Sequence, residues 1–141
     1  MQTIHQKLDQ LADDFDTLGD WESQLEYVRD LGKTLPPFSL DEQIEANKVR
    51  GCASQLWMIT EKSPDGRLFF RADGDAILSK GLAAVVIKLV SGHFPGEILE
   101  FDLRAAFERL NLPRLSMSRA SGLAGLAARI RQEAMRAQTS A

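Results

Sequence analysis

The first quarter of the chain carries two apolar stripes at helical spacing, separated by one break. In the first stripe Ile4, Leu8, Leu11 and Phe15 recur every three or four positions, which predicts an amphipathic helix. The second stripe begins at Trp21 and ends before a glycine and a pair of prolines, which prevent its continuation. The two stripes predict an antiparallel helix pair, with the aromatic rings of Trp21 and Tyr27 packed in the core. A partner-binding surface is the alternative for these two side chains.

The middle of the chain changes to the composition and alternation of β-strands. Residues 47–51, 54–61 and 67–73 are strand-like, and the Ser-Pro-Asp-Gly stretch at 63–66 is a strong turn signal. Consecutive strands with such short connections pair antiparallel. The pattern therefore predicts a three-stranded antiparallel sheet, and helices must cover one of its faces.

Helical spacing returns after the third predicted strand and continues to the C-terminus. Residues 76–90 are apolar over a wide arc, which predicts a mostly buried helix packed on the sheet. Shorter helices are predicted over 95–99 and 104–110, and a final helix begins near residue 118. The arginines of that helix, Arg129, Arg131 and Arg136, are expected on a solvated face because Glu133 lies among them, and a binding patch is the alternative. The predicted fold class is α+β, a three-stranded antiparallel sheet covered by helices.

The connection between the first two predicted strands holds the single cysteine of the sequence, Cys52. A lone cysteine is most often a small buried hydrophobe. Here Gly51 leaves one side of the sulfur unshielded, and the cations Lys48 and Arg50 favour the thiolate. Polar Arg50 and Ser54 also suit a surface turn. These neighbours predict a reactive thiol at the tip of a β-hairpin.

The stretch Gly51-Cys52-Ala53-Ser54-Gln55-Leu56-Trp57 resembles the G-C-x-S-x-[VL]-W signature of the SufE family. Further segments are similar to the family in the same order along nearly the whole chain: Trp21-Glu22 and residues 31–36, 74–76, 80–82 and 116–122. The ordered set is specific where an isolated cysteine motif would be weak. The resemblance implies a SufE/NifU-like fold, because the SufE and iron–sulfur scaffold families share one.

The resemblance implies that the protein is a sulfur carrier. In the family, a PLP-dependent SufS-type cysteine desulfurase forms a persulfide and passes its outer sulfur to an acceptor cysteine, which Cys52 matches. The acceptor stimulates the desulfurase, and the sulfur goes on to a SufBCD-type iron–sulfur scaffold complex. PLP belongs to the partner, so this chain is expected to carry no cofactor and to be an activator protein rather than an enzyme.

Two further positions gain a role from the resemblance. Asp75 and Arg119 match positions that the family uses around the desulfurase interface. A structural role stays open for each, a helix cap for Asp75 and an ion pair with a carboxylate for Arg119. Arg50, Gly51 and Ser54 complete the expected partner-binding or supporting set.

Other classes of protein are weighed against the carrier. An iron–sulfur scaffold would need several cysteine ligands, and this chain has one. A Cys–His hydrolase would need a histidine close to Cys52, and nothing in the sequence places His5 or His93 there. A thiol peroxidase or redox sensor using Cys52 remains the alternative, although its resolving thiol would have to come from elsewhere.

Length and composition exclude several classes of partner and site and predict the compartment. The 141 residues are expected to form one domain, residues 1–141. A net charge of −3 argues against a nucleic-acid partner, and no apolar run is long enough for a membrane span. One cysteine and two histidines, without a C-x-x-C pair, argue against a structural zinc site. The absence of a signal pattern, together with a cysteine that cannot pair internally, predicts a cytoplasmic protein.

Overall fold

The computed structural model describes residues 2–51, 54–115 and 120–139. Helices α1 (Ile4–Leu18) and α2 (Trp21–Lys33) begin the chain. The Thr3 hydroxyl caps α1 by accepting from the amide of Gln6, while the Asp20 carboxylate caps α2 by accepting from the amide of Ser23. Both predicted helices are present, but the expectation that Trp21 packs in the core is wrong. Trp21 is 60% exposed because it lies at the first turn of α2, beyond the buried stripe.

The sheet is an antiparallel pair, β1 (Leu56–Lys62) and β2 (Leu68–Gly74), with Leu56 opposite Gly74 and Lys62 opposite Leu68. The turn predicted between them closes with two hydrogen bonds, because the Ser63 amide donates to the Arg67 carbonyl and the Gly66 amide donates to the Ser63 carbonyl. Gly66 has φ of +97°, which the missing Cβ permits. The α+β class and the antiparallel pairing are thus present.

The third strand, expected over residues 47–51, is not confirmed: within the described residues the sheet has two strands. A single 3₁₀ turn, Glu45–Asn47, runs directly into the segment, and Lys48 alone among residues 47–51 forms a bridge, with Trp57. Gly51 then turns the chain away with φ of +89°. Pairing with β1 is therefore limited to one step, which is too short for a strand.

A side chain from the end of the molecule bonds the same segment. Nη1 of Arg129 donates to the Lys48 carbonyl at 3.0 Å, and Nη2 donates to the Ala46 carbonyl at 3.2 Å and lies 3.5 Å from that of Met58. The carbonyls that accept from the guanidinium therefore have hydrogen-bond partners without a longer strand pairing to β1. Sequence periodicity could not predict them, since the partners are more than 70 positions apart.

Helix α3 (Ile77–Val90) lies at the centre of the fold, with nine of its residues buried. It packs on β2 and crosses α2 at two glycines. A Cβ on Gly32 would come within 2.7 Å of the Gly81 nitrogen, and one on Gly81 would collide with the Val28 carbonyl oxygen. The two helices therefore meet backbone to backbone, which fixes the start of α3 relative to α2.

The C-terminal half is helical. It comprises α4 (Pro95–Glu100), α5 (Leu103–Arg109), α6 (Leu112–Leu115) and α7 (Ala120–Thr139). Helix α7 places Leu123, Leu126, Ile130 and Ala134 in the core, at helical spacing. The core is one cluster of apolar side chains drawn from α1, the sheet, α3 and the C-terminal helices. None of the helices that the structure describes combines the length and the apolar character needed to cross a membrane.

Candidate functional site

The site is built around residues 50–55, here called the thiol loop. The chain reverses across it, because the Val49 amide donates to the Leu56 carbonyl at 2.8 Å. Cys52 and Ala53 lie outside the described residues, so the placement of the thiol at a hairpin tip stays a prediction. The described residues on either side show how the two ends of the loop are held.

Asp75 holds the downstream end of the thiol loop. Its Oδ1 accepts from the Gln55 amide at 3.0 Å, and its own amide donates to the Gln55 carbonyl at 3.1 Å. The N-cap position of helix α3 is Ala76, and no side chain makes a capping hydrogen bond there. Asp75 therefore does not cap this helix. Asp75 is exposed, and it bonds the residue three positions after Cys52. This residue of the predicted set therefore lies at the loop.

Ser54 gives the same end a second contact. The hydroxyls of Ser54 and Ser79 are 2.8 Å apart, and Ser79 is 3% exposed within α3. The loop residue two positions after Cys52 thus reaches into the core helix. Sequence reasoning missed Ser79, for which the available signal was a small polar residue in an otherwise apolar helical stretch.

Sequence reasoning also missed Asp73 and Lys80, which hold the end of β2 just before Asp75. Asp73 is buried, and its carboxylate accepts from the amides of Phe38 and Gly74, both at 2.8 Å, with Lys80 Nζ 3.3 Å away. Burial pushes the pKa of Asp73 upward, but these hydrogen bonds and the Lys80 charge bring it below its usual value. The ionised carboxylate therefore ties the end of β2, just before Asp75, to the chain at Phe38.

A shallow groove of about 350 Å³ runs beside the described part of the loop. It is lined by Glu45, Lys48, Val49, Arg50, Gly51, Ser54, Gln55 and Leu56. Both cations predicted to favour the thiolate, Lys48 and Arg50, border this groove. Lys48 Nζ is 3.4 Å from Glu45, and Arg50 is exposed. Cationic charge near a cysteine favours its thiolate form. Because Cys52 lies outside the described residues, the effect of these cations on its thiol stays a prediction.

The remaining predicted residue, Arg119, lies outside the described residues, so its role stays a prediction. Arg129 was expected on a solvated face, yet its side chain is only 16% exposed and contacts the chain just before the loop. The one available signal was Glu133, four positions later on the same helix.

Within the described ranges, no three His, Cys, Asp or Glu side chains are close enough together to hold a metal ion.

Comparison with known proteins shows which family the chain matches. Residues 9–134 match the model of the SufE family, described as the Fe-S metabolism associated domain. An uncharacterized SufE-like protein of Rhizobium etli is 41% identical over 131 residues, covering 90% of this chain and 88% of that protein. One of Rhizobium meliloti is 40% identical over 131 residues, covering 90% and 94%.

A solved structure has the same fold. The solution structure of a hypothetical protein from Thermus thermophilus superposes with a TM-score of 0.76, covering 95% of this chain and 97% of that one. Its 19% identity extends the likeness to the fold alone. The family match and the two relatives, taken together, show that this chain belongs to the SufE family, whose domain is associated with Fe-S metabolism.

Proposed function

We propose that this chain, as a single SufE-like domain over residues 1–141, is a sulfur carrier for iron–sulfur cluster assembly. It accepts persulfide sulfur on Cys52 from a SufS-type cysteine desulfurase, stimulates that enzyme, and passes the sulfur to a SufBCD-type scaffold complex. PLP is supplied by the desulfurase. In this role the chain is an activator protein, and its cytoplasmic location stays a prediction.

The transfer is a thiol–persulfide exchange. The Cys52 thiolate attacks the outer sulfur of the desulfurase persulfide, a new S–S bond forms on Cys52, and the desulfurase cysteine leaves as a thiolate. One S–S bond replaces another, so no external oxidant or reductant is needed. The rate depends on the thiolate fraction and on access to the sulfur, and the cations that border the groove favour the thiolate.

One observation carries the proposal: the single cysteine of a SufE-family chain lies in sequence between two chain ends that the fold holds. The upstream end is paired at Val49 with Leu56, and the downstream end is bonded at Gln55 by Asp75. A rigid scaffold that presents a short loop is a common way to carry a reactive side chain. The family membership does not favour the thiol peroxidase or redox-sensor alternative.

Mass spectrometry after incubation with a desulfurase, PLP and L-cysteine tests the proposal. We expect the intact chain to gain the mass of one sulfur atom, removable with a reductant, and a peptide map to place it on Cys52. Cys52→Ser should gain no sulfur under the same conditions. If the wild-type chain stays unmodified while the desulfurase itself carries persulfide, the carrier role is wrong.

A further inference from the structure

The chain that enters the thiol loop is held by the last helix as well as by the sheet. Residues 46–50 make one bridge to β1, with the Val49 amide donating to the Leu56 carbonyl, and the Arg129 guanidinium reaches carbonyls of this segment and of β1 together. A guanidinium is planar, with five N–H donors in a fixed arrangement. Bonding two neighbouring carbonyls from one rigid plane therefore sets the orientation of the segment as well as its position.

Glu133 holds the guanidinium in this place. Nε of Arg129 donates to Oε1 of Glu133 at 3.0 Å, one turn further along α7, and the two side chains are 16% and 11% exposed. Charges with so little access to water are costly unless they are paired and hydrogen-bonded. The pair therefore has little freedom to adopt other arrangements, and the carbonyls bonded to it share that restriction.

Gly125 adds a second contact one turn earlier on the same helix. A Cβ at this position would collide with the Arg50 carbonyl oxygen and would lie 3.7 Å from Cγ1 of Val49. Because Gly125 and Arg129 are four positions apart, they share one face of α7. That face contacts residues 46–50 along two successive turns, and Cys52 follows this segment by two positions.

We propose that Arg129 is a positioning residue for sulfur transfer at Cys52, which fixes the chain entering the thiol loop so that the thiol meets the partner's persulfide in a reactive geometry. This inference rests on the proposed function. Displacing a reacting group by about 1 Å can cost roughly a hundredfold in rate, so a contact that only places the backbone can still control turnover. Arg129 acts through the backbone and contacts neither sulfur in this account.

Three variants isolate the contact. Arg129→Met keeps a long apolar stem and removes every N–H donor, while Arg129→Lys keeps the charge but replaces the planar donor arrangement with a single ammonium. Gly125→Ala is the independent variant, since its added methyl pushes on the Arg50 carbonyl and leaves Arg129 in place. Arg131→Met is the matched control for all three, because Arg131 is an exposed arginine of the same helix.

Steady-state sulfur transfer from a PLP-dependent desulfurase gives the first measurement. We expect Arg129→Met to lower kcat about tenfold or more and to leave KM for the carrier within about twofold, because placement is lost and the docking surface is kept. Arg129→Lys should recover little of the loss, Gly125→Ala should show the same split, and Arg131→Met should match the wild type. A loss of folding would instead appear as reduced active protein, which circular dichroism and titration of folded chain measure separately.

Alkylation of Cys52 by iodoacetamide gives the second measurement and needs no desulfurase. We expect the folded Arg129→Met chain to react about threefold faster or more, because a released loop gives the reagent more access to the sulfur, and all chains to react alike in denaturant. If Arg129→Met and Gly125→Ala react no faster than Arg131→Met, Arg129 is not a positioning residue. A wild-type chain that accepts no sulfur would overturn the carrier role and with it the positioning role in sulfur transfer, and alkylation would still decide separately whether Arg129 holds the thiol loop.

Discussion

Cys52 carries the proposed chemistry alone, because the chain has no second cysteine. We predict that Cys52→Ser folds, still binds its desulfurase, and abolishes stimulation of sulfide release from L-cysteine. Folding and binding should survive because the change is nearly isosteric and binding energy usually comes from a few buried anchors over a wide patch. Activity should be lost because a hydroxyl has a much higher pKa than a thiol and cannot hold a persulfide sulfur.

The measurement is desulfurase turnover with wild type and Cys52→Ser at matched concentration. Ser54→Ala is a useful companion, since it alters the loop beside the thiol and leaves the sulfur present. If Cys52→Ser stimulates turnover as well as the wild type does, the chain acts on the desulfurase allosterically and is not a carrier.

Asp75 offers a test of how the downstream end of the loop is held. Asp75→Ala removes the acceptor for the Gln55 amide, and a hydrogen bond worth about 1 kcal/mol corresponds to roughly fivefold faster amide exchange at Gln55. Asp75→Asn keeps a side-chain oxygen that can accept the same bond, so its exchange at Gln55 should stay close to wild type. Exchange followed by NMR checks both, and equal rates for the alanine variant and wild type would contradict the assignment.

At the scale of elements, the crossing of α2 and α3 depends on the absence of side chains. We predict that Gly81→Ala lowers the free energy of unfolding by about 1–3 kcal/mol, because a Cβ there collides with the Val28 carbonyl and lies 2.7 Å from Val28 Cγ1. Gly96→Ala is the control, since its Cβ would meet only the Gln138 side chain at 3.6 Å.

The control should be neutral, or more stable than wild type by up to about 1 kcal/mol, through helix propensity. Urea unfolding followed by circular dichroism measures both variants. A Gly81→Ala chain as stable as Gly96→Ala would show that the two helices can separate at no cost, and that the close crossing is not required.

Elements with strong local patterns were predictable from the sequence, and those set by distant contacts were not. The stripes of α1 and α3, the turn at 63–66 and the pairing of β1 with β2 follow from spacing and turn residues. The third strand is not confirmed because a 3₁₀ turn precedes the segment and Gly51 turns the chain after it, while Arg129, far along the chain, bonds the carbonyls of residues 46 and 48. The involvement of Ser79 and Arg129 at the loop was missed for the same reason, because their partners are 25 and 81 positions away.

At the scale of the whole molecule, His93 links stability to pH. It is 2% exposed, its Nδ1 is 3.6 Å from Glu97, and neither ring nitrogen has a hydrogen-bond partner among the described residues. Burial lowers the pKa of His93, the charges of Lys7 and Arg67 lower it further, and Glu97 opposes them. The folded protein therefore keeps this imidazole neutral at a pH where the unfolded chain already protonates it.

The direction in which stability changes with pH follows from the difference between the folded and unfolded pKa of His93. Because the folded pKa is below the unfolded value of about 6.5, stability is fully present above that pH and is lost as pH falls toward the folded pKa. We predict a decline of at most about 1.4 kcal/mol per pH unit from this group as the pH falls below about 6.5. His93→Phe should remove that part of the decline, whereas His5→Gln, at an exposed position, should keep it.

Thermal and urea unfolding at several pH values provide the comparison. The stability of the wild type relative to His93→Phe should fall as the pH falls, because only the wild type takes up a proton at residue 93 when it unfolds. A parallel decline in both chains would assign the pH dependence to other groups.

Because the thiol loop is anchored at both ends, the distance over which its residues can move is limited. Successive Cα atoms are about 3.8 Å apart, so a residue two positions beyond a fixed one stays within roughly 7 Å of it. With Arg50 packed against α7 and Gln55 bonded to Asp75, the cysteine between them has a short tether on each side. Under the proposed carrier role, a loop with such short tethers moves sulfur over a short distance only. We therefore expect the donor and the recipient of the sulfur to approach the same edge of the molecule, with docking surfaces that overlap.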